Sequence, residues 1–283
     1  MDMKLKGHVA SILQTAAALI LGTGTTTVMA TEPCGDLGEC KAFIEINSTD
    51  GDIGFHFLMD GEDLNSGQIT DPNGAKVFED QAKGPLRAQK LTETFAESAE
   101  PLCWDDPEAD PEDEILTLEE FLDRWAEGTY VFSGKGDGGE KQTGETELTH
   151  AIPAAPVDVA FDGSVISWDA GNDLGRCATF EELNDLVDDD ILLVHPGEVT
   201  VAAWEIVLEP DVEDGDPTGQ LEFNVRVSGT IAPKEMTVPA DYLASLPNDT
   251  PVKIEVGAIG VDNNATFTEV GGFCVNEVGG CED

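Results

Sequence analysis

The groups that could do chemistry are few in kind and lopsided in charge. Four histidines and six cysteines accompany 58 acidic and 14 basic residues, a formal net charge of −44. His8, His56, His150 and His195 are scattered. No two share the spacing that puts paired imidazoles on one helix face, and no His-Glu-x-x-His occurs. His56 lies between Phe55 and Phe57 in a run that alternates like a strand, so it points away from them. His150 ends a strand, and His195 precedes Pro196. Lone strand histidines are ordinarily structural or solvated, and none is assigned a catalytic role. There is no Gly-x-Ser-x-Gly nucleophile turn. Gly134, Lys135 and Lys141 lie among glycines, but the phosphate-loop spacing fails and no helix follows, so a hairpin turn explains them. Glycoside hydrolysis needs two carboxyl groups at a set separation in space. With this many acids, the sequence singles out no such pair.

Calcium is the better chemical candidate, because a hard cation takes several carboxylate and carbonyl oxygens from a tight loop. Glu209, Asp211, Glu213, Asp214 and Asp216 supply five acids in eight residues and form the leading candidate metal site. Asp50 with Asp52 is a second candidate and Asp188-Asp189-Asp190 a third. None follows the EF-hand order: with Gly215 as the sixth residue, Pro210 would stand first. The competing explanation is a solvated acidic surface suited to saline surroundings. No organic cofactor is implied. The charge argues against nucleic acid and anionic membranes as partners.

All six cysteines follow residue 30, and they are even in number, which favours disulfides in an exported chain. Six cysteines allow 15 pairings. Proximity favours Cys34 with Cys40 and Cys274 with Cys281, leaving Cys103 and Cys177. Metal binding is the lesser alternative, since no Cys-x-x-Cys occurs.

Export is read from the first 30 residues. Lys4 and Lys6 precede an apolar run from Val9 to Gly22, and Val28-Met29-Ala30 is a small-residue cleavage pattern. The run is shorter than the ~20 apolar residues of a spanning helix, and no later segment is apolar enough to span. Cleavage after Ala30 leaves 12 basic and 57 acidic residues. The protein is therefore expected to be secreted, periplasmic or held at the cell surface.

The elements that must position these groups are mostly strands. Residues 41–49 read as one, and Phe55, Phe57 and Met59 alternate in the next. Asp71-Pro72-Asn73-Gly74 is a turn, and Val77-Phe78 begins another strand. Residues 85–100 fit strand, helix or both, and 104–114 read as an acidic surface loop. Thr117 and Glu120 form a capping box before Leu118, Phe121, Leu122 and Trp125, one apolar helix face, with Gly128 as the expected stop. Two strands then flank a glycine-rich hairpin, and residues 152–156 (IPAAP) form a short stiff linker. Beyond it, Val157 to Phe161, Ile166 with Trp168, Ala202 to Leu208, Leu221 to Val227, Val252 to Ala258 and Ala265 to Phe273 alternate or read as strands. A second capping box, Thr179 with Glu182, predicts a helix inside the acidic insertion 171–198.

In this second half SVISWDA, VAAWEIVLE and VPADYL followed by LPNDTPVKIEVGAIG resemble strands two, three and five-to-six of a fibronectin type III domain, with Trp168 as the core tryptophan. The resemblance covers roughly residues 153–273 of what then looks like a secreted bacterial protein. It departs at Val252, where the family usually has a tyrosine, and in the long insertion. It implies that the loop holding Cys177 faces the N-terminal half, and hence a Cys103–Cys177 bridge. The expectation is an all-β chain of two tandem β-sandwich (immunoglobulin/fibronectin III-like) domains, each with a short helix. The expected parts are 1–30 signal peptide, 31–40 cysteine-containing segment, 41–150 small β-rich domain, 151–275 fibronectin III-like domain and 276–283 tail. The expected function is an exported, non-enzymatic binding or structural module with a protein or glycan partner. Its binding loops are expected at the pole carrying residues 209–216 and the Cys274–Cys281 segment. The alternatives are a secreted hydrolase, for example on polysaccharide, or an accessory subunit of one.

Overall fold

The computed structural model describes residues 34–107, 115–136, 138–213 and 215–281. The expected signal peptide, Asp214 and most of the acidic loop (108–114) lie outside the described residues. Strand takes 47% of the chain and helix 14%, so the fold is all-β.

A seven-stranded sheet is the frame. It contains β1 (Glu39–Asn47), β2 (Asp52–Leu64), β5 (Leu91–Glu97), β10 (Val201–Pro210), β11 (Phe223–Ser228), β13 (Thr250–Gly260) and β14 (Ala265–Val275), in the order β11-β10-β13-β14-β1-β2-β5. Neighbours pair antiparallel except at the centre, where β1 runs parallel to β14 with Glu45 opposite Ala265 and Asn47 opposite Phe267. Strands from the first and last thirds of the chain thus meet in one sheet.

Both smaller sheets pack on one face of this frame. The first joins β3 (Ser66–Thr70), β4 (Lys76–Gln81), β6 (Gly128–Lys135) and β7 (Lys141–Leu148) in the order β4-β3-β6-β7. Period two sends Ala42, Ile44 and Ile46 of β1 and Phe55, Phe57 and Met59 of β2 into one core with Ile69, Tyr130, Phe132 and Leu148. The second joins β8 (Pro156–Phe161), β9 (Val165–Ala170) and β12 (Glu235–Thr237). Its core gathers Ile166 and Trp168 with Trp204, Ile206, Leu208, Ile254 and Val256. Trp168 and Trp204 lie 5.9 Å apart between ring centres. Each half therefore has a sandwich layering with its own core, under a shared sheet. The described residues, from Cys34 to Cys281, belong to one compact unit.

The segment expected as a linker is buried along residues 152–156. Thr266 Oγ1 donates to Pro153 O at 2.6 Å, and Ala155 N donates to Asp173 O at 2.8 Å. Its prolines fix the chain's direction, but its neighbours, not its own stiffness, hold it.

Helices α1 (Gly84–Gln89), α2 (Leu118–Arg124), α3 (Phe180–Asp188) and α4 (Ala240–Leu243) are short. The 85–100 region is both helix and strand, α1 followed by β5. The reciprocal capping boxes at Thr117/Glu120 and Thr179/Glu182 are present, so the side chains locate both helix starts. The stop expected at Gly128 falls earlier: α2 ends at Arg124 and Gly128 opens β6. Trp125, just past the helix, stacks on Phe55 at 3.9 Å. Among the described residues no helix is long and apolar enough to cross a membrane.

Three disulfides pair Cys34 with Cys40, Cys103 with Cys177 and Cys274 with Cys281. The middle one joins the two halves, with 4.9 Å between Cα atoms. The insertion folds onto the first core through Leu174, Cys177, Ala178, Leu183 and Leu192. Arg176 lies over the Trp104 ring at 4.7 Å, and Trp104 Nε1 donates to Asp50 O at 3.0 Å.

Candidate functional site

The other face of the seven-stranded sheet carries the alternate residues. On β1 these are Lys41, Phe43 and Glu45. Pairing places His56 opposite Phe43 and Glu97 opposite His56, and it puts Ala265 and Phe267 beside Glu45 and Asn47. Further across, Glu205 stands opposite both Arg226 and Gly257, and Glu255 opposite Glu269. Period two along seven adjacent strands has gathered carboxylates from six of them on one surface, with Asp52 of β2 opposite Asn47. Ile259, Ala265 and Phe267, with Ala203, form a small apolar patch among them. Phe43, Glu45, His56, Phe95, Glu97, Arg226, Phe267 and their neighbours line a pocket of about 270 Å³.

Two of its lining residues, Glu45 and His56, converge with Glu100, each of the three offering a ligand atom within 4.8 Å of the other two. His56 is 4% exposed, and its ring lies between those of Phe43, 5.2 Å away, and Phe95, 6.0 Å away. Its Nε2 stands 3.4 Å from Glu100 Oε1, too long for a well-formed hydrogen bond, and has no other partner. Gly54, opposite Glu45 across the β1–β2 pair, leaves this space clear. A Cβ there would meet His56 Nε2 at 2.8 Å and Glu100 Oε1 at 3.0 Å.

The field on this face is negative. Burial raises Glu45 above the usual carboxylate range; His56 opposes this, while Glu100, Glu205 and Glu97 add to it. Burial would lower His56, but Glu100, Glu45 and Glu97 together hold it above its ordinary value. Burial, then Glu100 and Asp50, push Asp52 up to about 6. Glu255 is pushed up to about 7, by burial first and then by Glu45, Glu269 and Glu209. The cations on this face are paired with carboxylates. Arg226 Nε donates to Glu205 Oε2 at 2.7 Å, and Lys253 bridges Glu269 at 2.8 Å and Glu209 at 3.1 Å.

The acidic loop chosen from the sequence is arranged differently. Glu209 is engaged by Lys253. Asp216 caps a short 3-10 turn, its Oδ1 accepting from Thr218 N at 2.8 Å. Asp211 and Glu213 are exposed, and Asp214 lies outside the described residues. Among the described residues these acids do not converge on a point, whereas Glu45, His56 and Glu100 do. The loop does lie at the same sheet end as the Cys274–Cys281 segment, because Pro210 pairs with Val252 and Val275 with Thr250.

The other two described histidines each have one ring nitrogen engaged by the fold, while His195 Nε2, like His56 Nε2, is buried without a hydrogen-bond partner. His150 Nε2 bonds Trp125 O at 2.8 Å beside a larger acidic pocket of about 600 Å³. His195 Nδ1 accepts from Gly197 N at 3.1 Å. Reading residues singly missed the Glu45–His56–Glu100 group. The usable signal was His56 pointing away from Phe55 and Phe57, onto the same face as Glu45.

No protein-family model matches the chain, and no curated protein matches it. Among solved structures, it is similar to a tetra-tandem repeat from the extending region of a large adhesion protein, at 12% identity and TM-score 0.25, over 83% of this chain and 50% of that one. It is also similar to the BSP domain of a biofilm-associated protein, at 10% and 0.22, over 86% and 30%. A third is a structure from a 1.5-MDa bacterial ice-binding adhesin, at 10% and 0.22, over 87% and 65%. The chain spans less than two thirds of each, and at these TM-scores the likeness carries no argument about what the protein does.

Proposed function

We propose that this protein is an exported, non-enzymatic binding module whose ligand, a glycan, lies on the outer face of the seven-stranded sheet. The observation that carries the reading is the pocket there, where aromatic side chains stand among fixed hydrogen-bonding groups. Phe95 is 55% exposed, and the Phe43 ring lies close by. A sugar ring has an apolar C–H face and a rim of hydroxyls. Phe95 and Phe43 suit the first, and Glu45, Glu97, Lys41 and Arg226 suit the second. The negative field favours a neutral or cationic glycan over an anionic one. The three disulfides support an extracellular or cell-surface location. Three strands layered against four in the C-terminal half agree with the fibronectin type III resemblance.

A glycan array with the purified protein tests this. Binding to a defined neutral or amino-sugar glycan, weakened by Phe95→Ala, is the expected result. No glycan bound, or binding indifferent to Phe95, removes the reading and leaves a protein partner.

A secreted hydrolase is the second reading, favoured by Glu45 lying near Glu100 with its carboxyl raised. Their ligand atoms lie within 4.8 Å, just short of the ~5–5.5 Å separation of the carboxyl pair in retaining glycosidases. Turnover of a polysaccharide that is lost in Glu45→Gln would establish it. Calcium at residues 209–216 is proposed on composition alone. A larger rise in melting temperature with calcium than with equal magnesium tests it.

A further inference from the structure

We propose that Glu45, His56 and Glu100 form a binding site for one divalent transition-metal ion, zinc first among them. Three observations meet at this point. One imidazole and two carboxylates from three separate segments converge within 4.8 Å. The imidazole nitrogen facing the carboxylates is buried without a hydrogen-bond partner, on a side chain 4% exposed. Buried polar atoms are normally satisfied, so such a nitrogen points to a ligand. Finally, the chain keeps a glycine where any side chain would occupy the space, since a Cβ on Gly54 would come within 2.8 Å of His56 Nε2 and 3.0 Å of Glu100 Oε1.

The donor set selects the ion. Calcium and magnesium prefer oxygen ligands throughout, whereas an imidazole with carboxylates suits zinc and its first-row neighbours. Three protein ligands leave at least one position for water or an incoming group, unlike a closed structural zinc site. A divalent cation would also supply positive charge where two carboxylates are held close together. His56 is braced by the Phe43 and Phe95 rings, and Glu45 by its place in a central strand, so two ligands are preorganised. Glu100 follows the end of β5 and closes the third side. Neither the ligand set nor its test depends on a sugar.

The test is zinc titration of the whole chain, stripped with chelator, by calorimetry in excess magnesium to occupy surface carboxylates. Cobalt absorption reports the nitrogen ligand. One zinc per chain is expected, with affinity falling more than about tenfold in Glu100→Gln, since even outer-shell losses cost 10–100-fold. The Glu100 side chain is 42% exposed, so this variant should fold normally. His56→Gln and Gly54→Ala should weaken zinc similarly, and the loop variant Asp211→Asn should not. Circular dichroism checks that each variant is folded. The proposal falls if the wild type binds no zinc under these conditions. It falls equally if Glu100→Gln and Gly54→Ala bind zinc like the wild type, or if calcium competes equally.

Discussion

Asn264 Oδ1 accepts a hydrogen bond from Ile44 N at 2.8 Å, across 220 residues of sequence. The same amide donates to Thr149 O at 2.8 Å and Ala151 O at 3.2 Å. Asn264 is fully buried in the turn between β13 and β14, so one side chain fastens the last hairpin to both the first strand and the crossing segment.

Replacing Asn264 with alanine would leave one buried N–H and two carbonyls unpaired. The expected cost is about 1–3 kcal/mol, or more if no water enters to replace the amide. Urea unfolding followed by Trp fluorescence measures it. Because the fastening joins both halves, the transition should stay single; a variant in which one half melts first would show that the shared sheet does not couple them.

The Cys103–Cys177 bridge closes a loop of 74 residues. Its removal by the double change to alanine should cost at most ~4.5 kcal/mol by chain entropy, against ~2.4 for either short terminal loop. Removal of Cys34–Cys40 alone should therefore be milder. Equal midpoint shifts for the two variants would contradict this ordering.

Glu255 sets a pH dependence. Its folded value is about 7 against an ordinary 4.5, so the native state holds the proton more tightly than the unfolded chain. Its destabilising effect is absent below about 4.5, grows as pH rises, and is complete above about 7. Asp52, at about 6, acts in the same direction. Melting temperature should fall between pH 5 and 8, and Glu255→Gln should flatten that slope. An unchanged slope in the variant would assign the effect to general surface repulsion instead.

Tyr242 fastens the short helix α4 to the large sheet. Its hydroxyl lies 3.0 Å from Leu208 O and 2.9 Å from Leu221 O, the two carbonyls sharing its single proton, which ties α4 to the end of β10. Tyr242→Phe removes only the hydroxyl and should cost about 1 kcal/mol. A stability equal to the wild type in thermal melts would show that water satisfies both carbonyls.

The sequence by itself determined what short-range physics controls. Alternation of apolar residues marked most strands, because a strand's two faces differ every second residue. Thr117 with Glu120 and Thr179 with Glu182 located two helices, because a capping box is complete within four residues. The five-residue β3, with Ile69 as its one large apolar residue, and the three-residue β12 carried too little alternation to be seen. Only the tertiary structure decided that β1 lies beside β14, since the partners are about 220 residues apart and nothing in the local patterns around Ile46 and Thr266 specifies their pairing. The antiparallel pairing of β1 with β2 and of β2 with β5 then brings Glu45, His56 and Glu100 to one point. Among 58 acids, local sequence cannot distinguish the carboxylate that will face a buried imidazole from one that will face water, because the difference lies in strand order and register.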